Sequence, residues 1–462
     1  MWQVRKPGRA PPKHAAEPPA PEDRRLLTMG DAGAFNQRDQ RTDLKVEVHQ
    51  RLLGLINLNA LDQMSREQIE SEAGDIIREE LAKQSHALNH AERRQLVSDV
   101  LDELLGLGPL EPLLKDPTIT DILVNGHNSV FVERYGVLEP SPMRFKDEKH
   151  LIRIIQKIVS AVGRRIDESA PMVDARLADG SRVNAIVPPL ALDGSVLSIR
   201  KFARTPIGIA RLIELGSIPA PVAEVLKAIV TSRRNVLISG GTGSGKSTLL
   251  NAMSAFIDPR ERIVTIEDSA ELQLQQRHVV RLETRPANIE GKGEISQRHL
   301  VKNALRMRPD RIIIGEVRAD EAFDMLQAMN TGHDGSMTTV HANNPRDALA
   351  RIEQMIGMSG IDMPARSARS QIASAINVVI QVSRLSDGRR KLVSLSEVIG
   401  MEGEIVTMQE IFHFRQTGIS SDGQVEGRFE ATGIRPRFVD FALAHGVSLP
   451  TELFRPDAKF DG

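Results

Sequence analysis

Gly240, Gly241, Thr242, Gly243, Ser244, Gly245, Lys246, Ser247 and Thr248 have the types and spacing of a phosphate-binding loop. Gly240 and Gly245 hold the first and sixth places of Gly-x-x-x-x-Gly-Lys-Ser/Thr, where the lack of a Cβ lets the backbone curl and aim N–H groups at phosphate oxygens. Lys246 offers a point charge to the β and γ phosphates, and Ser247 a hydroxyl ligand for Mg²⁺. The run Asn-Val-Leu-Ile-Ser before the loop reads as a strand. Thr248 to Ala252 after it begins a helix whose N-terminal dipole also favours anions. The pattern predicts a bound nucleotide with Mg²⁺.

Three later strand ends carry further candidates. Arg262 to Ile266 is a β-branched run that ends in Glu267-Asp268-Ser269-Ala270-Glu271. In an open parallel sheet ligands collect at the carboxyl ends of strands, so these acids could reach the water or metal beside a nucleotide; equally, they could decorate a helix N-terminus. Arg311 to Arg318 is a second buried-strand run that brings an acid, Glu316, to its end, in the position of a Walker B element. There Glu316 could hold Mg²⁺ through water or orient the attacking water. A third run closes in His341, which its position assigns to a γ-phosphate contact. Which of Glu267, Glu271 and Glu316 is the general base stays open.

The elements that must position these groups follow from periodicity and punctuation. Residues 1–40 are rich in proline and charge and are expected to be a disordered tail, or a docking peptide. Residues 41–105 show helical spacing, as in Val48, Leu52, Leu55 and Ile56, and predict a packing bundle. Residues 106–205 predict a small mixed α/β domain. In it, Asn125-Gly126 and Ala178-Asp179-Gly180-Ser181 mark hairpins, Leu151 to Val162 is an amphipathic helix and Val196 to Phe202 a strand. Arg176, Arg182 and Arg200 lie on its strands, either as salt-bridged surface residues or as phosphate-seeking groups on a rigid support. Residues 206–218 read as a linker with a short helix, and 219–462 as the domain that carries the loop.

The chain of 462 residues has 60 Lys plus Arg against 61 Asp plus Glu, which argues against nucleic acid as the main partner. It has no cysteine, which excludes disulfides and thiolate metal sites. No apolar run approaches a membrane span and no signal-peptide core is present, so a cytoplasmic location is expected, with membrane contact only through partners.

Four segments together resemble the boxes of the secretion ATPases of type II and type IV systems: Gly-Gly-Thr-Gly-Ser-Gly-Lys-Ser-Thr, Thr-Ile-Glu-Asp-Ser-Ala-Glu-Leu, Ala-Leu-Arg-Met-Arg-Pro-Asp-Arg-Ile-Ile-Ile-Gly-Glu-Val-Arg and Thr-Gly-His-Asp-Gly-Ser-Met-Thr-Thr-Val-His-Ala. The resemblance covers roughly residues 105 to 400; Ile119 to Gly126 and Asp174 to Arg182 extend it into the N-terminal domain. Within the family the chain looks most like the tight-adherence (Tad/Flp) pilus ATPases of the CpaF type. A relative branch often carries a four-cysteine zinc element, which a chain without cysteine cannot form.

The resemblance implies a RecA-like P-loop ATPase domain preceded by a small mixed α/β domain and a helical bundle, in a homo-hexamer with ATP and Mg²⁺ between domains. It assigns Lys246 and Ser247 to phosphate and Mg²⁺, Glu267 and Glu271 to an Asp box, Glu316 to Walker B and His341 to a His box. It also assigns Arg182 and Arg200, with Arg176 a weaker candidate, to a nucleotide held by a neighbouring subunit. Ser269 departs from the proline common there in relatives. The implied function is a motor acting on an inner-membrane platform protein to drive a pilus or related secretion machine. The alternatives are a RecA-like DNA-handling translocase, for which 3% aromatic residues poorly supply a stacking platform, and a non-hydrolysing scaffold. No Asn-Lys-x-Asp segment points to GTP.

Overall fold

The computed structural model describes residues 106–134, 136–202, 206–287, 292–456 and 458–461, with Gly74, Asp75, Glu79, Ser98 and Asp102 before them. The expected tail over 1–40 and nearly all of the expected bundle over 41–105 lie outside the described residues. The chain divides into two compact units, Met1–Lys115 with Arg144–Asp147, and Asp116–Met143 with Glu148–Gly462. In the first, a 3₁₀ turn Gly108–Leu110 leads into helix α1, Glu111–Lys115, and Glu111 Oε1 accepts the Leu107 N–H at 2.9 Å.

The second unit begins with an antiparallel sheet of six strands among the described residues, in the order β3-β2-β1-β6-β5-β4. These are β1 (Ile119–Asn125), β2 (Val130–Arg134), β3 (Val137–Pro140), β4 (Met172–Arg176), β5 (Arg182–Ile186) and β6 (Val196–Arg200). Both expected hairpins form, and each turn uses a glycine at positive φ: Gly126 at 73° and Gly180 at 94°. Helix α2, Glu148–Ala161, buries Leu151, Ile154, Ile155 and Ile158, the spacing of one helical face. Its first residue caps the sheet, since Glu148 Oε1 accepts the Ser195 N–H at 2.6 Å.

Helix α3 (Ile209–Glu214) lies inside the expected linker, and α4 (Ala220–Thr231) leads to a ten-stranded sheet ordered β16-β15-β14-β13-β12-β7-β11-β10-β8-β9. Six of its strands are parallel: β7 (Val236–Ser239), β8 (Ile263–Glu267), β9 (Val279–Glu283), β10 (Arg311–Ile314), β11 (Met337–Val340) and β12 (Val378–Arg384). Helices α5 (Lys246–Ser254), α6 (Gln297–Ala304), α7 (Glu321–Asn330), α8 (Pro345–Met358) and α9 (Ala365–Ala375) cover it. Val236 and Ile238 face a core built with α4 and α5, while Leu237 faces a core built with α6 to α9. A strand buried on both faces by its alternating side chains reads as a continuous apolar run, which is why Val-Leu-Ile precedes the loop.

Beyond β12 the sheet turns antiparallel through β13 (Arg390–Glu402), β14 (Ile405–Ile419), β15 (Val425–Ala431) and β16 (Lys459–Asp461). Helix α10, Phe438–Ala444, packs beside α4. Its first turn is held by buried Glu397, whose two carboxylate oxygens accept the N–H groups of Arg437 and Phe438, each at 2.8 Å. The architecture is the expected α/β class: a P-loop domain preceded by a small mixed α/β domain.

Candidate functional site

The loop after β7 has the backbone its glycines require. Gly243 and Gly245 sit at φ of 69° and 97°, the left-handed region that L side chains resist. At Gly240 the constraint is space: an added Cβ would lie 2.4 Å from the Val382 carbonyl oxygen on the neighbouring strand β12. Added Cβ atoms on Gly241 and Gly243 would instead meet open space. The loop therefore offers a curled backbone, an ammonium, a hydroxyl and the start of a nine-residue helix to one open side, a donor set that fits a polyphosphate. That helix begins at Lys246, two residues earlier than the sequence reading placed it.

Lys246 is almost buried, and its Nζ donates to the Gly241 carbonyl at 3.1 Å. The same Nζ stands 3.4 and 3.3 Å from Nδ1 and Nε2 of His341, which follows β11. His341 Nε2 is 2.7 Å from Glu316 Oε1, and Arg318 donates from Nε at 2.9 Å and Nη2 at 2.5 Å to Glu316 Oε2. Arg318 Nη1 also lies 3.5 Å from Asp268 after β8. The ends of β8, β10 and β11 are thus joined beside the loop lysine. Burial, helped by Lys246 and Arg318 and opposed by Glu316, pushes the His341 imidazole below its ordinary pKa, so it is neutral at pH 7. The 2.7 Å approach of Nε2 to Glu316 is a close contact and not an aligned hydrogen bond, since Glu316 Oε1 is buried with no hydrogen-bond partner among the described residues, and Lys246 Nζ lies about equally near both ring nitrogens. Burial likewise pushes the Lys246 ammonium down, with Glu316 opposing.

Glu267 and Glu271 separate in geometry. Glu267 is buried, and its Oε2 accepts the N–H groups of Glu271 and Leu272 at 2.8 and 3.0 Å. Its other oxygen, Oε1, is buried with no hydrogen-bond partner among the described residues. Gly315 makes room for it, since a Cβ there would lie 2.9 Å from Glu267 Cγ. Glu267 thus shapes the turn that carries Glu271, and burial raises its pKa against those two backbone bonds. Glu271 is half-exposed and accepts from Arg182 Nη1 at 2.7 Å.

The three arginines form one row. Arg176 pairs with Arg182 across β4 and β5, and Arg182 with Arg200 across β5 and β6, so all three share a face. Like charges directly opposite repel, and each has a carboxylate: Glu283 for Arg176 at 2.5 Å, Glu271 for Arg182 and Asp121 for Arg200 at 3.0 Å. Arg176 also donates to the Ala270 and Gly180 carbonyls, which ties it into a structural role. Arg182, Arg200, Glu271, Ser247 and Thr248 line one cavity of about 190 Å³. A larger cleft of about 1080 Å³ is lined by the arginine row together with Asp268, Arg318 and Glu321. Among the described residues no group of three acidic, histidine or cysteine side chains could hold a metal by itself.

Residues 103–434 match the family model described as Type II/IV secretion system protein. The chain belongs to that family. A Mycobacterium tuberculosis protein named for conjugal transfer is 42% identical over 326 residues, covering 69% of this chain and 92% of the relative. The conjugal transfer protein TrbB of Rhizobium radiobacter is 32% identical over 318 residues, covering 68% and 92%. Among solved structures, the VirB11 ATPase of the Brucella suis type IV secretion system in complex with sulphate matches with TM-score 0.34 and 27% identity, over 62% of this chain and 94% of that one. The recognised family resemblance is thereby shown at the level of the family.

Sequence reasoning passed over three residues that touch this site. Arg318, two residues after Glu316 within a quoted box, bridges Glu316 to Asp268. Asn251 Oδ1, on α5, accepts the Gln273 N–H at 2.9 Å and fixes the segment after Glu271. Arg390 donates to the Gly243 carbonyl at 2.8 Å from a strand far along the chain. Only Arg318 carried a local signal, its place in the motif.

Proposed function

We propose that the chain is an ATP-hydrolysing motor of a pilus or secretion machine, of the Tad/Flp type, working as a homo-hexamer on an inner-membrane platform protein from the cytoplasmic side. The observation that carries this is the convergence of Lys246, His341 and Glu316 at 2.7–3.4 Å, from three strands of one parallel sheet. Lys246 and the loop N–H groups bind and orient the phosphates. Ser247 would hold a magnesium ion together with the phosphates and water, which supplies charge neutralisation at the transferring phosphoryl group. Glu316, with Glu271 nearby, holds the attacking water in line, and His341 reports the γ position.

Arg182 and Arg200 are the residues that complete the charge balance. Their present partners, Glu271 and Asp121, form partly exposed ion pairs worth about 0–1 kcal/mol, so exchange of a carboxylate for a phosphate costs little. No helix among the described residues is long and apolar enough to cross a membrane. Balanced charge and scarce aromatics weigh against the DNA-handling alternative.

Steady-state hydrolysis of the full chain and of Glu316→Gln, each with and without single-stranded DNA, tests the reading. The wild-type chain turns over, the variant loses about 10²-fold in kcat while still binding nucleotide, and DNA changes neither. Stimulation by DNA would transfer support to the translocase. Absence of turnover in the wild type, or full turnover in the variant, would overturn the motor.

A further inference from the structure

The hairpin between β12 and β13 carries three cations that reach three different parts of the second unit. Arg384 Nη2 donates to the Gly136 carbonyl at 2.8 Å, in the turn before β3 of the six-stranded sheet. Arg390 Nε donates to the Gly243 carbonyl in the phosphate loop, and its stem packs 3.4 Å from where a Gly245 Cβ would stand. Lys391 Nζ donates to the Gly216 carbonyl at 2.8 Å, between α3 and α4, and the next residue adds a backbone bond from Leu392 N–H to Ser217 at 3.0 Å. Successive side chains of a strand point to opposite faces, which is how neighbours Arg390 and Lys391 hold the loop on one side and the linker on the other.

The hairpin is stiff. Leu385 and Arg389 close it with a 2.8 Å backbone bond, and Gly388 supplies a φ of 85°. Asp387 accepts from Arg389 Nε at 2.7 Å and from the Val425 N–H at 2.8 Å, anchoring the tip to β15. Lys391 is 2% exposed and lies over the rings of Phe414 and Phe429 at 4.7 and 5.7 Å. The three arms are therefore joined through one hydrogen-bonded hairpin.

We propose that this hairpin couples the phosphate loop to the interdomain linker, with Arg390 as the positioning residue that senses the loop and Lys391 as the arm that moves the linker. The proposal rests on the reading that nucleotide binds at this loop. A peptide unit is planar, so holding the Gly243 carbonyl fixes the direction of the Ser244 N–H. In the present arrangement Lys246 Nζ and Ser244 Oγ both donate to the Gly241 carbonyl, at 3.1 and 2.8 Å. A phosphate that draws Lys246 and the loop amides to itself releases those bonds, reorients the loop's peptide planes and changes the acceptor that Arg390 holds.

Hydrogen exchange of the full chain, with and without saturating adenylyl imidodiphosphate, reads the linker directly at the amides of Gly216 and Ser217. Direct titration of the same analogue establishes its binding separately. In the wild type the analogue binds and changes linker exchange. In Arg390→Ala it binds, at higher concentration, and the linker change is lost; Arg390→Lys, which keeps a cation that can reach the carbonyl, restores part of it. Lys391→Met binds with wild-type affinity yet also loses the linker response, a split that general misfolding would not produce. A linker response of wild-type size in saturated Arg390→Ala or Lys391→Met overturns the coupling alone. Failure of the wild type to bind the analogue overturns the nucleotide site and the coupling together.

Discussion

The two halves of the ten-stranded sheet do different work with the same backbone. From β9 to β12 every strand is parallel, so the carboxyl ends of β7, β8, β10 and β11 open on one edge and deliver Lys246, Asp268, Glu316 and His341 to one place. From β13 to β16 the strands alternate in direction, so their ends are split between two edges, and the charged groups that meet there, such as His413, Arg415 and Arg428 around Glu430, do so across the ladder and not at strand ends. What the antiparallel half contributes instead is reach: long β13 and β14 bury Leu392, Leu395, Ile411 and Phe412 and carry cations back to the loop and the linker. Parallel topology concentrates chemistry, and antiparallel topology distributes mechanical contacts.

Lys246→Ala is the hardest blow to the parallel half. Removing the ammonium leaves the phosphates without their principal point charge and His341 without its cationic neighbour, and hydrolysis should fall by at least about 10³-fold in a steady-state assay. Residual turnover within tenfold of the wild type would break the claim that chemistry is concentrated at this edge.

The parallel half was also the legible half. Its strands are short continuous apolar runs followed at once by a polar group, a pattern visible in Asn235 to Thr248, Arg262 to Glu271 and Arg311 to Arg318. Boundaries moved by a residue or two, as at Ile263–Glu267, because strand ends are set by pairing and not by residue type. The arginine row was half visible: the residues stood out, but their alignment is a matter of register between hairpins, which distant sequence does not show. Strands β13 to β16 and the role of Arg390 left no readable trace. The strands pair through sequence-local hairpins, such as Glu402 with Ile405 and Ile419 with Val425. The three cation contacts of Arg384, Arg390 and Lys391, however, join residues 147 to 248 positions apart, and nothing local in Asp-Gly-Arg-Arg-Lys distinguishes a cation held on a loop carbonyl from one in solvent.

Glu267→Gln separates a carboxylate that does chemistry from one that builds the site. Glu267 Oε2 accepts two backbone N–H groups, which a glutamine carbonyl can also take, but the amide's NH2 would then occupy the place of Oε1, buried with no hydrogen-bond partner among the described residues, and the charge on the acceptor would be lost. The expected result is a loss of stability of about 1–3 kcal/mol by denaturant midpoint, with kcat reduced less than in Glu316→Gln. A kcat as low as that of Glu316→Gln with unchanged stability would move Glu267 into the reacting shell.

Lys391→Met probes the antiparallel half on its own terms, through pH. Burial, with Arg389 adding repulsion and Asp387 opposing, pushes the Lys391 ammonium from its ordinary 10.5 down to about 8. Below pH 8 the folded and unfolded chains both carry the charge, and the folded state bears the full cost of burying it. Between pH 8 and 10.5 the unfolded chain keeps a proton that the folded chain has released, so unfolding binds a proton and folded stability rises with pH, by up to about 3 kcal/mol. Methionine fills the same space between Phe414 and Phe429 without a charge. The difference in unfolding free energy between wild type and Lys391→Met should therefore shift toward the wild type as pH rises from 7.5 to 10, measured by denaturant midpoints at each pH. A difference that stays flat across this window would mean that the lysine is as well solvated as a surface residue. It would then be too loosely held to serve as a stiff arm on Gly216.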